Sequence, residues 1–365
     1  MPVKILYGVV GEGMGHAMRS RVVLDRLIEL GHEVEIMASG RAKDYLAKRF
    51  DGVHKIHGLH MIYEENRVRR GKTLWSNVLG GAAGLPGNLA AYFKLIEDFS
   101  PKLVISDFES WTYLYAKLHR LPVVSIDNMQ IINRCELPAD VTEGHETAFQ
   151  LTKAFVKGKL PNCDQYLVTS FFRPKVRKER TRLVPPILRP EIIATKTSQG
   201  EHLVVYQTGE GHDGLSKVLA QTGLECRIYG MRRDLKAEQV EGNLRYQPFS
   251  EDGFIADLAS CRGVVAGGGF TLMGEAVYMH KPMLAVPLGG QFEQVLNGRY
   301  LAREGFGATT PTLEDPRHVH DFVARLDDYA AVLAAYAQTG NDELYGAMDE
   351  VLDKAEAGVL DQTLL

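Results

Sequence analysis

The sequence predicts an α/β protein made of two doubly wound parallel sheets, one in each half of the chain, facing a common cleft. Three observations carry that prediction. Short apolar runs alternate with amphipathic stretches along nearly the whole chain, the rhythm of repeated βα units. A proline-rich crossing, Val184-Pro185-Pro186-Ile187-Leu188-Arg189-Pro190, interrupts the rhythm near its middle, and the rhythm then restarts. Each half also carries a glycine-rich segment where a strand hands over to a helix. These are Gly11-Glu12-Gly13-Met14-Gly15-His16 and Gly267-Gly268-Gly269-Phe270-Thr271-Leu272-Met273-Gly274-Glu275.

Length and composition agree with two domains. A chain of 365 residues exceeds one ordinary core and suits two domains of roughly 150 to 200 residues each. The predicted division is 1–187, a linker at 188–200, and 201–340. A 45% hydrophobic and 24% charged composition is that of a globular protein in water. A net charge of −4 gives no reason to expect nucleic acid as a partner. Cys135, Cys163, Cys226 and Cys261 are scattered without a CxxC pair, as expected of buried thiols in a reducing compartment. The apolar run behind the N-terminus is shorter than a signal-peptide core. No apolar stretch reaches the roughly 20 residues of a membrane span, and the expected location is cytoplasmic.

In order, residues 4–10 read as a strand and 17–30 as a helix with Val22, Val23, Leu27 and Leu30 on one face, closed by Gly31. Residues 33–38 are a strand, 41–50 a helix and 53–59 a short strand, followed by a less regular stretch at 63–86. Helices at 89–99 and 111–119 alternate with strands at 103–106 and 123–127. Residues 141–160 read as one helix and 165–169 as a strand. Beyond the proline crossing, strands are predicted at 202–207, 225–229, 244–248, 263–266 and 282–286. The helices between and after them fall at 214–222, 254–260, 271–278, 292–304, 319–337 and 341–352.

The first glycine loop lacks the spacing of a dinucleotide fingerprint, because His16 stands where the third glycine belongs. Gly13 and Gly15 still let the backbone approach a ligand closely. His16 opens the first helix at the carboxyl edge of the first strand, where open α/β sheets bind ligands. A neutral imidazole there suits a general base. Such a base commonly has a carboxylate behind it. Asp107, directly after Leu103-Val104-Ile105-Ser106, is the first candidate, and Asp127 is its competitor.

In the second loop, Gly268 and Gly269 put consecutive N–H groups at a helix N-terminus, a setting for a diphosphate. Phe270 and Thr271 open that helix, and Glu275 lies where a carboxylate can accept from ribose hydroxyls. Pro287-Leu288-Gly289-Gly290-Gln291-Phe292-Glu293-Gln294 follows the next strand and offers Gln291, Glu293 and Gln294 to sugar hydroxyls. Thr208 and Gly209, in a third loop after a strand, are placed to touch the phosphates.

Together these segments resemble the GT-B glycosyltransferases, particularly the lipid II-forming N-acetylglucosaminyltransferases of glycosyltransferase family 28 and the UDP-glycosyltransferases. The resemblance covers most of the chain. It implies two Rossmann-like domains with a final helix, 341–365, packing back on the first. It also implies a donor that is a nucleotide sugar, a UDP-sugar, with no cofactor and no metal. His16 would deprotonate the acceptor hydroxyl and Asp107 orient it, with inversion at the anomeric carbon. Gly268 and Gly269 would lie at the diphosphate, Glu275 at the ribose, Phe249 beside the base, and Gln291 and Glu293 at the transferred sugar. Arg189 occupies a linker position where the lipid II enzymes also carry arginine, and the resemblance implies that it contacts the donor. Two positions depart from the pattern: the donor loop reads Gly-Gly-Gly-Phe without a histidine, and Phe292-Glu293 precedes Gln294.

The run Gly15-His16-Ala17-Met18-Arg19 is also similar to a UDP-sugar hydrolase of the same fold, which makes water an alternative acceptor. A non-catalytic nucleotide-sugar-binding protein is the other alternative. Arg67-Val68-Arg69-Arg70-Gly71-Lys72 beside the apolar, glycine-rich stretch to Leu85 suggests a lipid or lipid-linked acceptor. Residues 67–85 would then make a peripheral contact with the inner membrane face.

Overall fold

The computed structural model describes residues 2–11, 13–56, 96–207 and 213–360. By contact density the chain divides into two compact units. One is Met1–Asp127 with Gly158–Leu167 and Tyr345–Leu365; the other is Asn128–Lys157 with Val168–Leu344.

The elements begin with β1 (Lys4–Val9), α1 (Met14–Glu29), β2 (Glu33–Ser39), α2 (Gly40–Leu46), β3 (Val53–Ile56), β4 (Leu103–Asp107), α3 (Ser110–His119) and β5 (Val123–Asp127). They continue with α4 (Ile131–Arg134), α5 (Ala139–Thr142), α6 (Glu146–Lys159), β6 (Gln165–Thr169), β7 (Thr181–Val184) and α7 (Pro190–Ala194). The later part holds β8 (Leu203–Tyr206), α8 (Asp213–Ala220), β9 (Cys226–Tyr229), β10 (Gln239–Glu241), β11 (Leu244–Tyr246), α9 (Glu251–Ser260), β12 (Gly263–Ala266) and α10 (Phe270–Tyr278). It closes with β13 (Met283–Ala285), α11 (Phe292–Arg303), β14 (Gly307–Thr309), α12 (Pro316–Ala324), α13 (Leu326–Leu333) and α14 (Asp342–Glu356).

The two sheets run β3-β2-β1-β4-β5-β6-β7 and β10-β11-β9-β8-β12-β13-β14. Their central strands are continuous apolar runs because helices cover both faces; Ile5, Leu6, Tyr7 and Val9 of β1 are fully buried, as are Val204 and Val205 of β8. In each sheet the first strand is flanked on its two sides by later strands reached in opposite directions. That reversal leaves a crevice at the carboxyl ends, between β1 and β4 and between β8 and β12. The glycine loops follow β1 and β12, so each opens on such a crevice.

Several predicted elements come out differently. The stretch 141–160 is not one helix: Gly144, at φ +72°, separates α5 from α6. The stretch 319–337 is α12 and α13, split at Arg325, whose φ of −111° and ψ of 10° leave the helical region. The linker contains a helix, α7, because Pro190 stands at its first turn, where a missing N–H costs nothing. Strands β7, β10 and β14 went unpredicted because they are mostly half-buried or exposed and carry no continuous apolar run. Residues 57–95, which hold the rest of the predicted strand at 53–59, the irregular stretch and most of the helix at 89–99, lie outside the described residues. In the first unit Arg26 lies 5.0 Å from the Tyr345 ring and 3.4 Å from Asp349 Oδ2, tying α1 to α14.

Candidate active site and donor loop

Register brings the first site together. Val9 at the end of β1 is paired with Asp107 at the end of β4, and Val10 N donates to Asp107 O at 3.2 Å. The first glycine loop and the Asp107 side chain therefore share one edge. Gly11 must be glycine for a steric reason: a Cβ there would sit 2.2 Å from Ser39 O, while its N donates to Ser39 Oγ at 2.8 Å. Helix α1 starts at Met14, with Gly13 as an extended N-cap and Gly15 in its first turn. His16, Arg19 and Ser20 then lie three and four residues apart on one helical face.

All three reach Asp107. His16 Nδ1 lies 2.8 Å from Oδ1, Arg19 Nε donates to Oδ2 at 2.8 Å, and Ser20 Oγ donates to Oδ2 at 2.9 Å. Arg19 Nη2 also donates to Oδ1 and lies 2.6 Å from His16 Nδ1. The Asp107 side chain is 1% exposed and that of His16 19% exposed, so the carboxylate is hidden while the imidazole remains reachable. Burial pushes the Asp107 carboxyl upward, but the charges of Arg19 and His16 outweigh it and hold it down at about 2. Phe108 follows at φ +56°, an uncommon backbone for an aromatic residue and one that costs about 1–3 kcal/mol. The bend lets Glu109 cap α3, accepting from Trp111 N at 2.7 Å and Thr112 N at 2.8 Å. Asp127, the competing aspartate, accepts from Ser125 Oγ at 2.6 Å.

The sequence reading paired His16 with Asp107 and missed Arg19 and Ser20. The signal was present: an arginine and a serine at i+3 and i+4 from a helical histidine project toward the same partner.

In the second unit, Gly269 is the N-cap of α10 and, having no side chain, offers the helix's first N–H groups no cap of its own. A Cβ on Gly268 would lie 2.5 Å from Gln294 O. Gln294 is nearly buried, and its Oε1 accepts from Gly268 N and Leu288 N, both at 3.1 Å. Its Nε2 donates to Gln291 Oε1 at 2.6 Å. Gln294 thus laces two loops together. Glu293 Oε1 accepts from Asn297 Nδ2 and Asn128 Nδ2, both at 2.8 Å, and Asn297 Nδ2 also reaches Gly268 O at 2.9 Å. Asn297 stands four residues beyond Glu293 on α11, a spacing legible in the sequence but not exploited.

Glu275 and Arg189 are both buried. Arg189 Nε and Nη2 donate to Glu275 Oε1 and Oε2 at 2.7 and 2.9 Å, and Nη1 donates to Glu251 Oε1 at 2.6 Å. Burial pushes the Glu275 carboxyl up, opposed by Arg189. Phe270 is buried against Phe171, with ring centroids 6.1 Å apart, whereas Phe249 is 80% exposed just before the Ser250 cap of α9. Thr271 lies half-buried in the first turn of α10. Thr208, Gly209 and the basic run at 67–85 lie outside the described residues. Among the described residues no group of three or more His, Cys, Asp or Glu is arranged to hold a metal ion, and no helix is long and apolar enough to cross a membrane.

Comparison with known proteins adds to this geometry. The family described as glycosyl transferase family 1 matches residues 3–327. An uncharacterised glycosyltransferase of Methanosarcina mazei is 26% identical, with 91% of this chain and 95% of the relative aligned. A Bacillus cereus UDP-N-acetylglucosamine–N-acetylmuramyl-(pentapeptide) pyrophosphoryl-undecaprenol N-acetylglucosamine transferase is 23% identical over 93% of this chain and 96% of its own. Among solved structures, a spinosyn rhamnosyltransferase complexed with thymidine diphosphate superposes with a TM-score of 0.63 at 18% identity, covering 97% of this chain and 100% of that one. That last likeness is one of fold.

Proposed function

Because the chain belongs to glycosyl transferase family 1 and carries the GT-B fold, we propose that it moves a sugar from a nucleoside diphosphate donor, a UDP-sugar, to an acceptor hydroxyl with inversion. The observation that carries this reading is His16 Nδ1 at 2.8 Å from the buried Asp107 Oδ1. With a proton on Nδ1 donated to Asp107, His16 Nε2 takes the acceptor's proton as its oxygen attacks the anomeric carbon, and the carboxylate steadies the imidazolium that forms. The bond to the leaving nucleoside diphosphate breaks as the new C–O bond forms. N–H groups at the start of α10, from Gly269 onward, take up the charge that builds on the leaving group. Glu275 accepts from the ribose hydroxyls, and Glu293 and Gln291 meet the sugar.

A lipid-linked acceptor, met at the inner membrane face, draws its support from two places. One is the basic and apolar run at 67–85 in the sequence; the other is the acceptor named for the Bacillus cereus relative.

The test is incubation with UDP- and dTDP-sugars, with and without an undecaprenyl diphosphate-linked sugar. Acceptor-dependent transfer is expected, falling about 100-fold or more in His16→Ala while that variant still binds donor. Sugar release at the same rate without acceptor would instead make water the acceptor, and an unimpaired His16→Ala would remove histidine from the role.

A further inference from the structure

We propose that Arg19 is a positioning residue that selects the tautomer of His16, holding the imidazole of the ligand-free chain in the form that cannot act as a base. Three atoms meet within hydrogen-bond distance: His16 Nδ1, Asp107 Oδ1 and Arg19 Nη2. A guanidinium only donates and an ionised carboxylate only accepts, so Nδ1 can satisfy one of them at a time. If Nδ1 carries hydrogen, it donates to Oδ1 at 2.8 Å but drives that N–H against a cationic donor at 2.6 Å. If Nδ1 is bare, it accepts from Arg19 at 2.6 Å, a short charge-assisted bond. Its approach to Oδ1 is then softened by the Nη2 hydrogens lying beside both atoms.

Asp107 gives up little by this choice, since it keeps both bonds from Arg19 and the one from Ser20. Of the two contacts that Nδ1 makes, the one to Arg19 is the shorter, 2.6 against 2.8 Å, which leaves Nδ1 bare and the hydrogen on Nε2.

An Nε2 that already carries hydrogen takes no proton from an acceptor. For His16 to serve as base, Nη2 must swing off Nδ1, Nε2 must lose its hydrogen, and Nδ1 must gain one to donate to Asp107. That swing also gives up the Nη2 bond to Oδ1, the oxygen that Nδ1–H then takes, while Ser20 Oγ at 2.9 Å still holds Oδ2. The base is therefore off while Arg19 rests on Nδ1. The tautomer assignment stands on the geometry alone; its meaning as a gate rests on the base reading of His16 above.

The experiment is a two-bond ¹H–¹⁵N correlation spectrum of the full chain labelled with ¹⁵N-histidine, at about pH 8.5, where a histidine of ordinary pKa is neutral. His16→Gln identifies which of the 12 histidines gives the signal. The expected wild-type pattern has hydrogen on Nε2 and a bare Nδ1, and Arg19→Met, which removes the donor, moves the hydrogen to Nδ1. A wild-type spectrum already showing Nδ1–H overturns the proposal, as does an Arg19→Met spectrum unchanged from wild type. Should Arg19→Met fail to fold, the wild-type spectrum decides by itself. Loss of the base reading would appear separately, as retained transfer in His16→Ala while the wild-type spectrum still shows a bare Nδ1.

Discussion

Arg189 grips Glu275 through two parallel bonds, Nε to Oε1 at 2.7 Å and Nη2 to Oε2 at 2.9 Å, with side chains 4% and 2% exposed. Its remaining Nη1 turns to Glu251. One cation against two carboxylates leaves an excess of acceptors, which suits hydroxyl donors better than a phosphate. Arg189 therefore holds Glu275 in place.

That relationship predicts asymmetric costs. Arg189→Met strands a buried carboxylate and is expected to destabilise the fold by about 3–5 kcal/mol, whereas replacing both partners by apolar residues of similar volume recovers much of the loss. Urea denaturation of Arg189→Met and of Arg189→Met/Glu275→Leu distinguishes the two. Equal losses would mean the pair contributes through packing alone.

Asp107 gives a pH signature. Its carboxyl is held at about 2, below the ordinary 3.8, so the native state binds its proton less readily than the unfolded chain does. The stabilisation is fully present above the unfolded value and is lost as pH falls from about 4 to about 2, an effect on the order of 2 kcal/mol. Asp107→Asn is expected to flatten stability across that window while leaving Arg19 buried without its counter-charge. A wild-type stability curve that is level between those values contradicts the assignment.

Much of this was legible in the sequence. The βα alternation, the two glycine loops and the placement of His16 and Asp107 at strand ends follow from apolar periodicity and from Gly, His and Asp at the handover points. What escaped was the partnership of charged groups. Arg189 looked like a ligand contact because nothing in the chain order shows that Glu275, 86 positions away, takes both arms of its fork. Arg19 enters the sequence reading only as part of the hydrolase-like run, because its burial depends on the pairing of β1 with β4. Gln294, read as a sugar contact, turns inward to two backbone amides that only the folded loops present.

Gln294 and Gln291 should accordingly separate in mutation. Gln294→Ala leaves Gly268 N and Leu288 N without their acceptor and is expected to cost about 1–3 kcal/mol of stability. Gln291, an exposed N-cap whose side chain is bonded only through Gln294 Nε2 among the described contacts, is expected to cost well under about 1 kcal/mol when changed to alanine. Its effect should fall on the Michaelis constant for donor. Thermal melts beside donor titrations check both, and a stability loss in Gln291→Ala matching that of Gln294→Ala would refute the division.

The glycines of the second loop offer the sharpest contrast, because adjacent positions have opposite surroundings. At Gly268 a methyl group would stand 2.5 Å from Gln294 O and 2.8 Å from Gln294 Cβ, so the start of α11 must shift. Gly268→Ala is expected to destabilise the unligated protein by about 1–3 kcal/mol. At Gly269 the same methyl meets no atom of the described residues within 4 Å, and the backbone, at φ −66° and ψ 127°, accepts any residue. Gly269→Ala should melt with the wild type. If the diphosphate lies against this helix start, the methyl occupies space the ligand needs, and the melting shift produced by UDP or dTDP shrinks or disappears in a protein of unchanged stability. A Gly269→Ala variant with wild-type stability and a full nucleotide shift would place the diphosphate elsewhere, because none of the described residues comes close enough to this position to feel the change.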